Sequence, residues 1–162
     1  MLNLKDLRIG QGFDVHRFKE GRDMYICGVK IDYKLGLDGH SDADVGIHAI
    51  MDAILGAAGL RDIGYYFPDT DEKYKGIDSK KLLSNVLNLI EKDGWKILNI
   101  DITIIAQKPK LSPYIEKMKI VLSDILKLDR DRISIKATTT EKLGFTGREE
   151  GIAALAVVLL YK

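Results

Sequence analysis

The stretch Gly39-His40-Ser41-Asp42-Ala43-Asp44-Val45-Gly46-Ile47-His48 leads from a polar loop into the first helix that the sequence predicts. We expect this helix to run from about residue 42 to residue 58, capped at its N-terminus by Ser41 or Asp42. Its predicted apolar stripe is formed by Ile47, Ile50, Ile54 and Ala57. Asp44 and His48, four residues apart, share a side away from that stripe and need not face the core.

The rest of the pattern predicts two more helices and four or five strands. We expect strands over 7–18, 24–31 (as one arm of a hairpin), 98–106, 132–138 and 152–161, helices over 78–93 and 112–125, and loops over 61–76 and 139–148. Gly10 and Gly12 would let another backbone or a ligand approach the first strand closely. The order predicts an α+β fold, a two-layer α/β sandwich in which a mixed four- to five-stranded sheet carries three helices on one face. Because the final strand is too apolar to face water, we expect the other face to pack against another subunit.

Composition excludes several classes of protein. The 162 residues are enough for one domain that covers the whole chain, residues 1–162. A net charge of +1 argues against a nucleic-acid partner, and no apolar run is long enough to predict a membrane span. Cys27 is the only cysteine, and residues 1–7 lack the apolar run of an export signal, so the expected location is the cytoplasm.

The three histidines of the chain all lie near aspartates. Asp14 and His16 are two residues apart in the first predicted strand and therefore point to the same face. With His48 they supply one carboxylate and two imidazoles, a donor set that suits zinc and leaves one tetrahedral position open. On the residues alone, the alternative remains that these are hydrogen-bonded polar side chains at the ends of elements.

A second polar segment is Ala137-Thr138-Thr139-Thr140-Glu141-Lys142-Leu143-Gly144. Its hydroxyls could bind phosphate oxygens and Glu141 could hold a cation such as magnesium, although threonine is also typical of strands. His40 and Ser41 precede a helix N-terminus, where anions are stabilised. Simple capping by Ser41 or Asp42 is the alternative, and both can hold because a capped N-terminus can still present a free N–H. The chain lacks a glycine-rich nucleotide loop and an activated nucleophile. We therefore interpret these features as phosphoryl chemistry that relies on positioning and charge neutralisation.

Four motifs occur in order along nearly the whole chain from Arg8. They are Arg8-Ile9-Gly10-x-Gly12-Phe13-Asp14-Val15-His16, then His40-Ser41-Asp42-x-Asp44-Val45 with His48, then Asp62-Ile63-Gly64-x-x-Phe67-Pro68-Asp69-Thr70-Asp71, and finally Lys136-Ala137-Thr138-Thr139-Thr140-Glu141-Lys142-Leu143-Gly144-Phe145-Thr146-Gly147-Arg148. Together they closely resemble the 2-C-methyl-D-erythritol 2,4-cyclodiphosphate synthase family of the non-mevalonate isoprenoid pathway.

The resemblance implies an enzyme that closes a cyclic diphosphate and releases CMP from 4-diphosphocytidyl-2-C-methyl-D-erythritol 2-phosphate. It implies a homotrimer with active sites between subunits, so that the uncovered sheet face would form the trimer interface. It also implies Zn²⁺ on Asp14, His16 and His48, and Mg²⁺ or Mn²⁺ on Glu141, bridging the substrate's diphosphate. Two alternatives are a metal-binding scaffold without turnover and a metal-dependent phosphohydrolase that makes a linear product.

The resemblance further assigns roles to individual residues. The expected catalytic residues are His40, Thr139 and Glu141. The methylerythritol phosphate end would contact Asp14, His16, His40, Ser41, Asp62, Ile63, Gly64, Phe67 and Asp69. The cytidine end would contact Ala106, Pro109, Lys110, Leu111, Ala137, Thr138 and Thr139 of the neighbouring subunit. Phe145 and Arg148 would line a cavity on the trimer axis that can take an isoprenoid diphosphate. Asp42 and Asp44 are expected to cap the helix or orient a histidine.

Overall fold

The computed structural model describes residues 6–162. The prediction that residues 1–7 lack an export signal therefore falls mostly outside the described residues. The strands are β1 (Leu7–Lys19), β2 (Met24–Ile26), β3 (Val29–Ile31), β4 (Gly36–Leu37), β5 (Lys96–Ile105), β6 (Ile133–Thr138) and β7 (Gly151–Tyr161). The helices are α1 (Val45–Ala58), α2 (Ile63–Tyr66), α3 (Ser79–Lys92), α4 (Ile115–Leu126) and α5 (Gly144–Gly147). Short 3₁₀ turns occupy Glu72–Tyr74, Ser112–Tyr114 and Arg130–Arg132.

The main sheet has five strands in the order β4-β1-β7-β5-β6. Strand β7 pairs antiparallel with β1 and with β5, whereas β5 and β6 are parallel, so the predicted mixed sheet is confirmed. The three long helices pack over one face of it, as expected for an α+β sandwich. The opposite face carries exposed apolar side chains on β1, with Ile9 72%, Phe13 54% and Val15 37% exposed.

Two glycines of β1 set the distance between the sheet and α1. A Cβ atom at Gly10 would lie 2.0 Å from the carbonyl oxygen of Ala53, and one at Gly12 would lie 2.0 Å from that of Ala49. Only glycine allows this approach, and the expectation that another backbone comes close to β1 is confirmed. The helix that carries His48 is thereby held directly against the strand that carries Asp14 and His16.

Several local predictions need correction. The N-cap of α1 is Asp44, whose side chain accepts a hydrogen bond from the N–H of Ile47, and not Ser41 or Asp42. The side of α1 opposite its stripe is not open, because β2, β7 and α3 also pack against the helix; Ala49, Met51 and Leu55 are buried as well. Residues 24–31 form both arms of a hairpin, β2 and β3. The two predicted loops contain the short helices α2 and α5.

The N-terminus of α1 is hydrogen-bonded to the hairpin formed by β2 and β3. The buried Asp44 carboxylate accepts hydrogen bonds from the N–H groups of Cys27 and Gly28 as well as from Ile47. The bond from Ile47 caps the N-terminus of α1. The expectation that a capped terminus can still bind an anion stays a prediction. Within residues 6–162, every helix is too short or too polar to serve as a membrane-spanning segment.

Candidate functional site

Three side chains from two elements meet at one point. Alternation along β1 places Asp14 and His16 on the face that packs against α1, and the first turn of α1 brings His48 to the same place. The Oδ2 atom of Asp14 lies 2.9 Å from Nε2 of His16 and 3.0 Å from Nδ1 of His48, and the two nitrogens are 3.1 Å apart. The three residues therefore present one ligand atom each to a common centre.

Hydrogen bonds on the far side of each ring leave these nitrogens available. Nδ1 of His16 lies 2.6 Å from the carbonyl oxygen of Asp38, which can only accept, so in the neutral ring Nδ1 donates and Nε2 keeps its lone pair. Nε2 of His48 lies 3.1 Å from Oγ of Ser41 and 3.0 Å from Oγ of Ser79. With a proton on that Nε2, the Nδ1 atom of His48 also faces the centre with a lone pair.

Asp14 and His16 change each other's pKa values. Burial by itself would raise the pKa of Asp14, but hydrogen bonds with His16 and His48 outweigh it and lower the pKa to about 2. Burial opposes the charged form of His16, yet the hydrogen bond with Asp14 raises its pKa overall. Both shifts favour the charged forms of Asp14 and His16, which keeps an anionic oxygen available to a cation.

The donor set fits a divalent metal ion. Two imidazole nitrogens and a carboxylate oxygen suit ions of borderline softness such as zinc. In a tetrahedral zinc centre the ligand atoms are roughly 3.3–3.5 Å apart, so the three atoms need to move outward by only a few tenths of an ångström. Asp14 and His16 are partly exposed towards a cavity, which leaves room for a fourth ligand from that side.

The cavity beside this metal cluster has a volume of about 380 Å³. Besides the three metal-cluster residues it is lined by Gly39, His40, Ser41, Ile63, Gly64, Phe67, Asp69, Tyr74 and Leu82. Eight of the nine residues predicted for the methylerythritol phosphate end are therefore brought together here, Asp14 and His16 among them. Asp62 instead caps α2, with its Oδ1 accepting from the N–H of Tyr65 at 3.0 Å. Neither Tyr74 nor Leu82 is among the predicted site residues, because Tyr74 lies three residues beyond the Asp62–Asp71 motif and Leu82 lies on an apolar helix face.

The loop that carries His40 is held by an arginine that the sequence did not single out. The guanidinium of Arg22 donates to the carbonyl oxygens of Gly39 and Ser41, both at 2.6 Å. One planar group thus binds the backbone on both sides of His40. The N–H of Gly76 also donates to the carbonyl oxygen of His40 at 2.8 Å. Arg22 lies in a turn whose sequence gives no motif, so only the fold reveals this contact.

The residues predicted for the cytidine end line a second cavity of about 370 Å³. It is formed by Ala106, Gln107, Lys108, Pro109, Lys110, Leu111, Ser112, Ala137, Thr138 and Thr139. Leu111 is buried at the base of this cavity. Glu141 adjoins this cavity, since its Oε1 accepts from the hydroxyl of Thr139 at 3.1 Å. In a single chain, this second cavity is distinct from the cavity beside the metal cluster.

Phe145 lies on a third, more open cavity of about 740 Å³ that also touches His16 and His40. Arg148 is one turn away and donates from Nε to Oε1 of Glu150 at 2.7 Å. Glu150 also lines this third cavity. Of the two residues predicted for the axial cavity, Phe145 therefore lines the third cavity directly, and Arg148 is connected to it by the ion pair with Glu150.

Comparison with known proteins agrees with this arrangement. The model of the YgbB family matches residues 7–161. The 2-C-methyl-D-erythritol 2,4-cyclodiphosphate synthase of Geobacillus thermodenitrificans is 61% identical over 96% of this chain and 97% of its own length. A CDP complex of IspF from Plasmodium falciparum is 38% identical with a TM-score of 0.85, covering 98% of both chains. The bifunctional IspDF from Campylobacter jejuni is 48% identical with a TM-score of 0.93 over 96% of this chain, which spans 42% of that longer protein.

Proposed function

The chain belongs to the YgbB family, and from this premise we propose that it converts 4-diphosphocytidyl-2-C-methyl-D-erythritol 2-phosphate into 2-C-methyl-D-erythritol 2,4-cyclodiphosphate and CMP, in the non-mevalonate pathway to isoprenoid precursors. The observation that carries the proposal is the cluster of Asp14, His16 and His48 at the wall of a cavity that also contains His40, Ser41 and residues of the 62–69 loop. Relatives that share 56–61% of their residues with this chain bear the name of this synthase.

The reaction is an intramolecular transfer of a phosphoryl group. An oxygen of the 2-phosphate forms a bond to the β-phosphorus, the bond from that phosphorus to the bridging oxygen breaks, and CMP leaves with the electron pair. The nucleophile is already an anion at neutral pH, so the site does not need a strong base. It must hold two anions close together, and such positioning can lower a barrier by roughly 7–11 kcal/mol in favourable cases.

The side chains at the metal cluster are proposed to hold zinc. When bound, zinc supplies positive charge and a fixed contact for phosphate oxygens. Asp14, His16 and His48 would orient that contact, and the adjacent His40 and Ser41 would bind the phosphate end of the substrate. Within residues 6–162 the N–H groups of His40 and Ser41 have no acceptor in the chain, which supports their use by phosphate oxygens.

The segment around Glu141 is proposed to serve the diphosphate and the nucleotide. An exposed carboxylate next to the hydroxyl of Thr139 suits a hard cation such as Mg²⁺ or Mn²⁺. Thr138, Thr139 and the 106–111 segment would hold the cytidine part. The CDP complex of the Plasmodium falciparum neighbour supports a nucleotide ligand for this fold.

A homotrimer would bring the two cavities into one site. Neither cavity alone contains all the groups needed to bind the whole substrate. The apolar face of the sheet offers an interface through which a neighbouring chain could place its cytidine cavity beside the metal cluster. We also propose that the cavity near Phe145 and Arg148 lies on the trimer axis and can take an isoprenoid diphosphate. A reducing, cytoplasmic setting is proposed because the single cysteine, Cys27, is free and buried.

The decisive experiment is phosphorus NMR of the purified protein with the diphosphocytidyl substrate and Mg²⁺. We expect the resonances of a cyclic diphosphate together with CMP. Release of a linear diphosphate or of inorganic phosphate would identify a phosphohydrolase instead. An unchanged substrate spectrum with zinc-loaded protein would identify a scaffold without turnover.

The role of Glu141 is tested by the variant Glu141→Gln. The amide loses the charge that attracts a hard cation, so CMP release should fall by at least about a hundredfold, an effect comparable to losing one charge-stabilising contact. Zinc content should not change. The control Glu116→Gln alters an exposed carboxylate on α4, away from the cavities described above, and should keep full turnover. Near-normal CMP release by Glu141→Gln would remove this residue from the proposed site.

A further inference from the structure

The first residue of α3 connects the metal cluster to a carboxylate on its far side. Ser79 is fully buried, and its hydroxyl lies 3.0 Å from Nε2 of His48 and 2.5 Å from Oδ1 of Asp42. Asp42 also accepts from the N–H groups of Ser79 at 2.9 Å and Asp44 at 3.1 Å, so both of its oxygens act as acceptors. We call this chain of hydrogen bonds, from Asp42 through Ser79 to His48, the serine relay.

The direction of the serine relay follows from its donors. Ser79 has a single hydroxyl hydrogen, and the oxygens of Asp42 only accept, so this hydrogen points to Asp42. The lone pairs of Ser79 then face Nε2 of His48, and the short separation is favourable only when Nε2 carries a proton. Oγ of Ser41, 3.1 Å from the same Nε2, accepts from the N–H of Ala43 and can share that proton.

The carboxylate of Asp14 competes with the serine relay for the imidazole proton of His48. Oδ2 of Asp14 lies 3.0 Å from Nδ1 of His48 and attracts the imidazole proton to the nitrogen that faces the metal centre. A proton on Nδ1 would block the ligand lone pair. The other histidine of the cluster avoids this because its Nδ1 donates to the backbone carbonyl of Asp38. His48 has no backbone carbonyl in that position within the described residues, and the serine relay takes its place.

We propose that Ser79 and Asp42 are positioning residues that keep the imidazole proton of His48 on Nε2 and so set the affinity of the metal cluster. The carboxylate polarises the serine, and the serine in turn strengthens the basicity of the ligand nitrogen. The inference rests on the metal centre of the proposed function, but the position of the proton is a property of the chain without metal.

A purely structural role for the same contacts is the rival explanation, since Asp42 and Ser79 also join the loop before α1 to the start of α3. Selective ¹⁵N labelling of histidine separates the two, because the chain has only three histidines and the shifts of the ring nitrogens report which one is protonated. The spectra are recorded on metal-free protein at about pH 8, above the ordinary titration range of imidazole.

We expect the wild-type chain to carry the His48 proton on Nε2 and Ser79→Ala to move it towards Nδ1. Zinc alone, titrated against a chelator, should bind Ser79→Ala about 10–100-fold more weakly. Asp42→Asn keeps the shape of the side chain and should weaken zinc binding to a smaller extent. Ser84→Ala is the matched control, because Ser84 lies on the same helix and donates only to the carbonyl oxygen of Lys80. It should change neither the tautomer nor the zinc affinity.

An identical His48 tautomer in wild type and in folded Ser79→Ala would overturn the proposal, as would a wild-type proton on Nδ1. If Ser79→Ala does not fold, Asp42→Asn decides, and unchanged zinc affinity in that variant has the same meaning. Neither measurement uses substrate. A chain with a working serine relay that forms no cyclic product would therefore refute the proposed function alone, and normal turnover without the tautomer change would refute this inference alone.

Discussion

At the scale of single residues, the position of His40 depends on a side chain that is distant in sequence. Arg22 donates to the carbonyl oxygens on both sides of His40, each at 2.6 Å, with the planar fork that a lysine lacks. We predict that Arg22→Lys folds and retains zinc but raises KM for the diphosphocytidyl substrate about tenfold, equivalent to ~1.4 kcal/mol. Steady-state CMP release and zinc analysis measure both quantities.

The matched control for Arg22 is Arg132→Lys. Arg132 is more exposed and donates to a single carbonyl oxygen, that of Leu98, at 3.4 Å. Its replacement should leave KM unchanged. If Arg22→Lys also leaves KM unchanged, the loop around His40 does not depend on the guanidinium, and the hydrogen bond from Gly76 to His40 must hold it instead.

A second residue-scale prediction concerns pH. Burial, with a smaller contribution from the charge of Asp44, raises the pKa of the Cys27 thiol well above its ordinary value. The folded chain therefore keeps the thiol proton where the unfolded chain loses it. This contribution to stability is complete below the unfolded pKa of about 8.5 and is lost progressively as the pH rises above it, by up to ~1.4 kcal/mol per pH unit.

Urea unfolding at several alkaline pH values tests this linkage. The free energy of unfolding of Cys27→Ala should fall less steeply with pH than that of the wild type. Val86→Ala provides a control that also truncates a buried side chain but keeps the thiol, so it should be less stable at every pH with the wild-type slope. Equal slopes for Cys27→Ala and the wild type would assign the alkaline loss of stability to other groups.

At the scale of elements, the sequence predicts what local patterns encode and misses what distant partners decide. The long strands β1, β5, β6 and β7 and the three long helices follow from periodicity, and the close approach at Gly10 and Gly12 follows from the lack of a side chain. The cap of α1 does not. Asp42 looks like an N-cap in sequence, but its carboxylate is engaged by Ser79, 37 residues later, and capping passes to Asp44. Arg22 and Ser79 enter the site through such long-range contacts, which no local pattern can indicate.

The contact between β1 and α1 supplies the prediction at this scale. A methyl group at Gly12 would meet the carbonyl oxygen of Ala49 at 2.0 Å, and neither backbone can move away without separating the strand from the helix. Gly12→Ala should lower the free energy of unfolding by about 3 kcal/mol, the upper end of ordinary overpacking. It should also weaken zinc binding, because Asp14 and His16 would move away from His48.

Gly56→Ala is the matched control for this change. Gly56 lies on α1 itself, and the nearest atom to its added Cβ is the carbonyl oxygen of Gln11 at 3.9 Å, an ordinary contact. Alanine also has the higher helix propensity, so this variant should be as stable as the wild type or more stable by up to about 1 kcal/mol. Equal stability of the two variants would show that the spacing of β1 and α1 is not fixed by glycine.

At the scale of the whole molecule, the two faces of the sheet differ. The helical layer covers one face, and the other exposes Ile9, Phe13 and Val15 beside the half-buried apolar residues of β7. A contiguous apolar face of this kind favours association. The donor sets that one substrate would need also lie in two separate cavities of each chain. The proposed trimer would account for both features, since it would cover the open face and bring the cavities of neighbouring chains together.

We therefore predict that the protein sediments at three times its chain mass of 18.2 kDa, and that Ile9→Glu dissociates it. A buried charge on the apolar face would cost the interface several kcal/mol, whereas each chain would remain folded and would retain its zinc, since Asp14, His16 and His48 belong to one chain. CMP release should be lost together with assembly. Ile120→Glu places the same charge on an exposed apolar residue of α4, on the helical layer, and should leave both intact. A monomeric wild-type protein with full turnover would contradict sites shared between chains, because the cytidine cavity and the metal cluster would then have to cooperate within a single subunit.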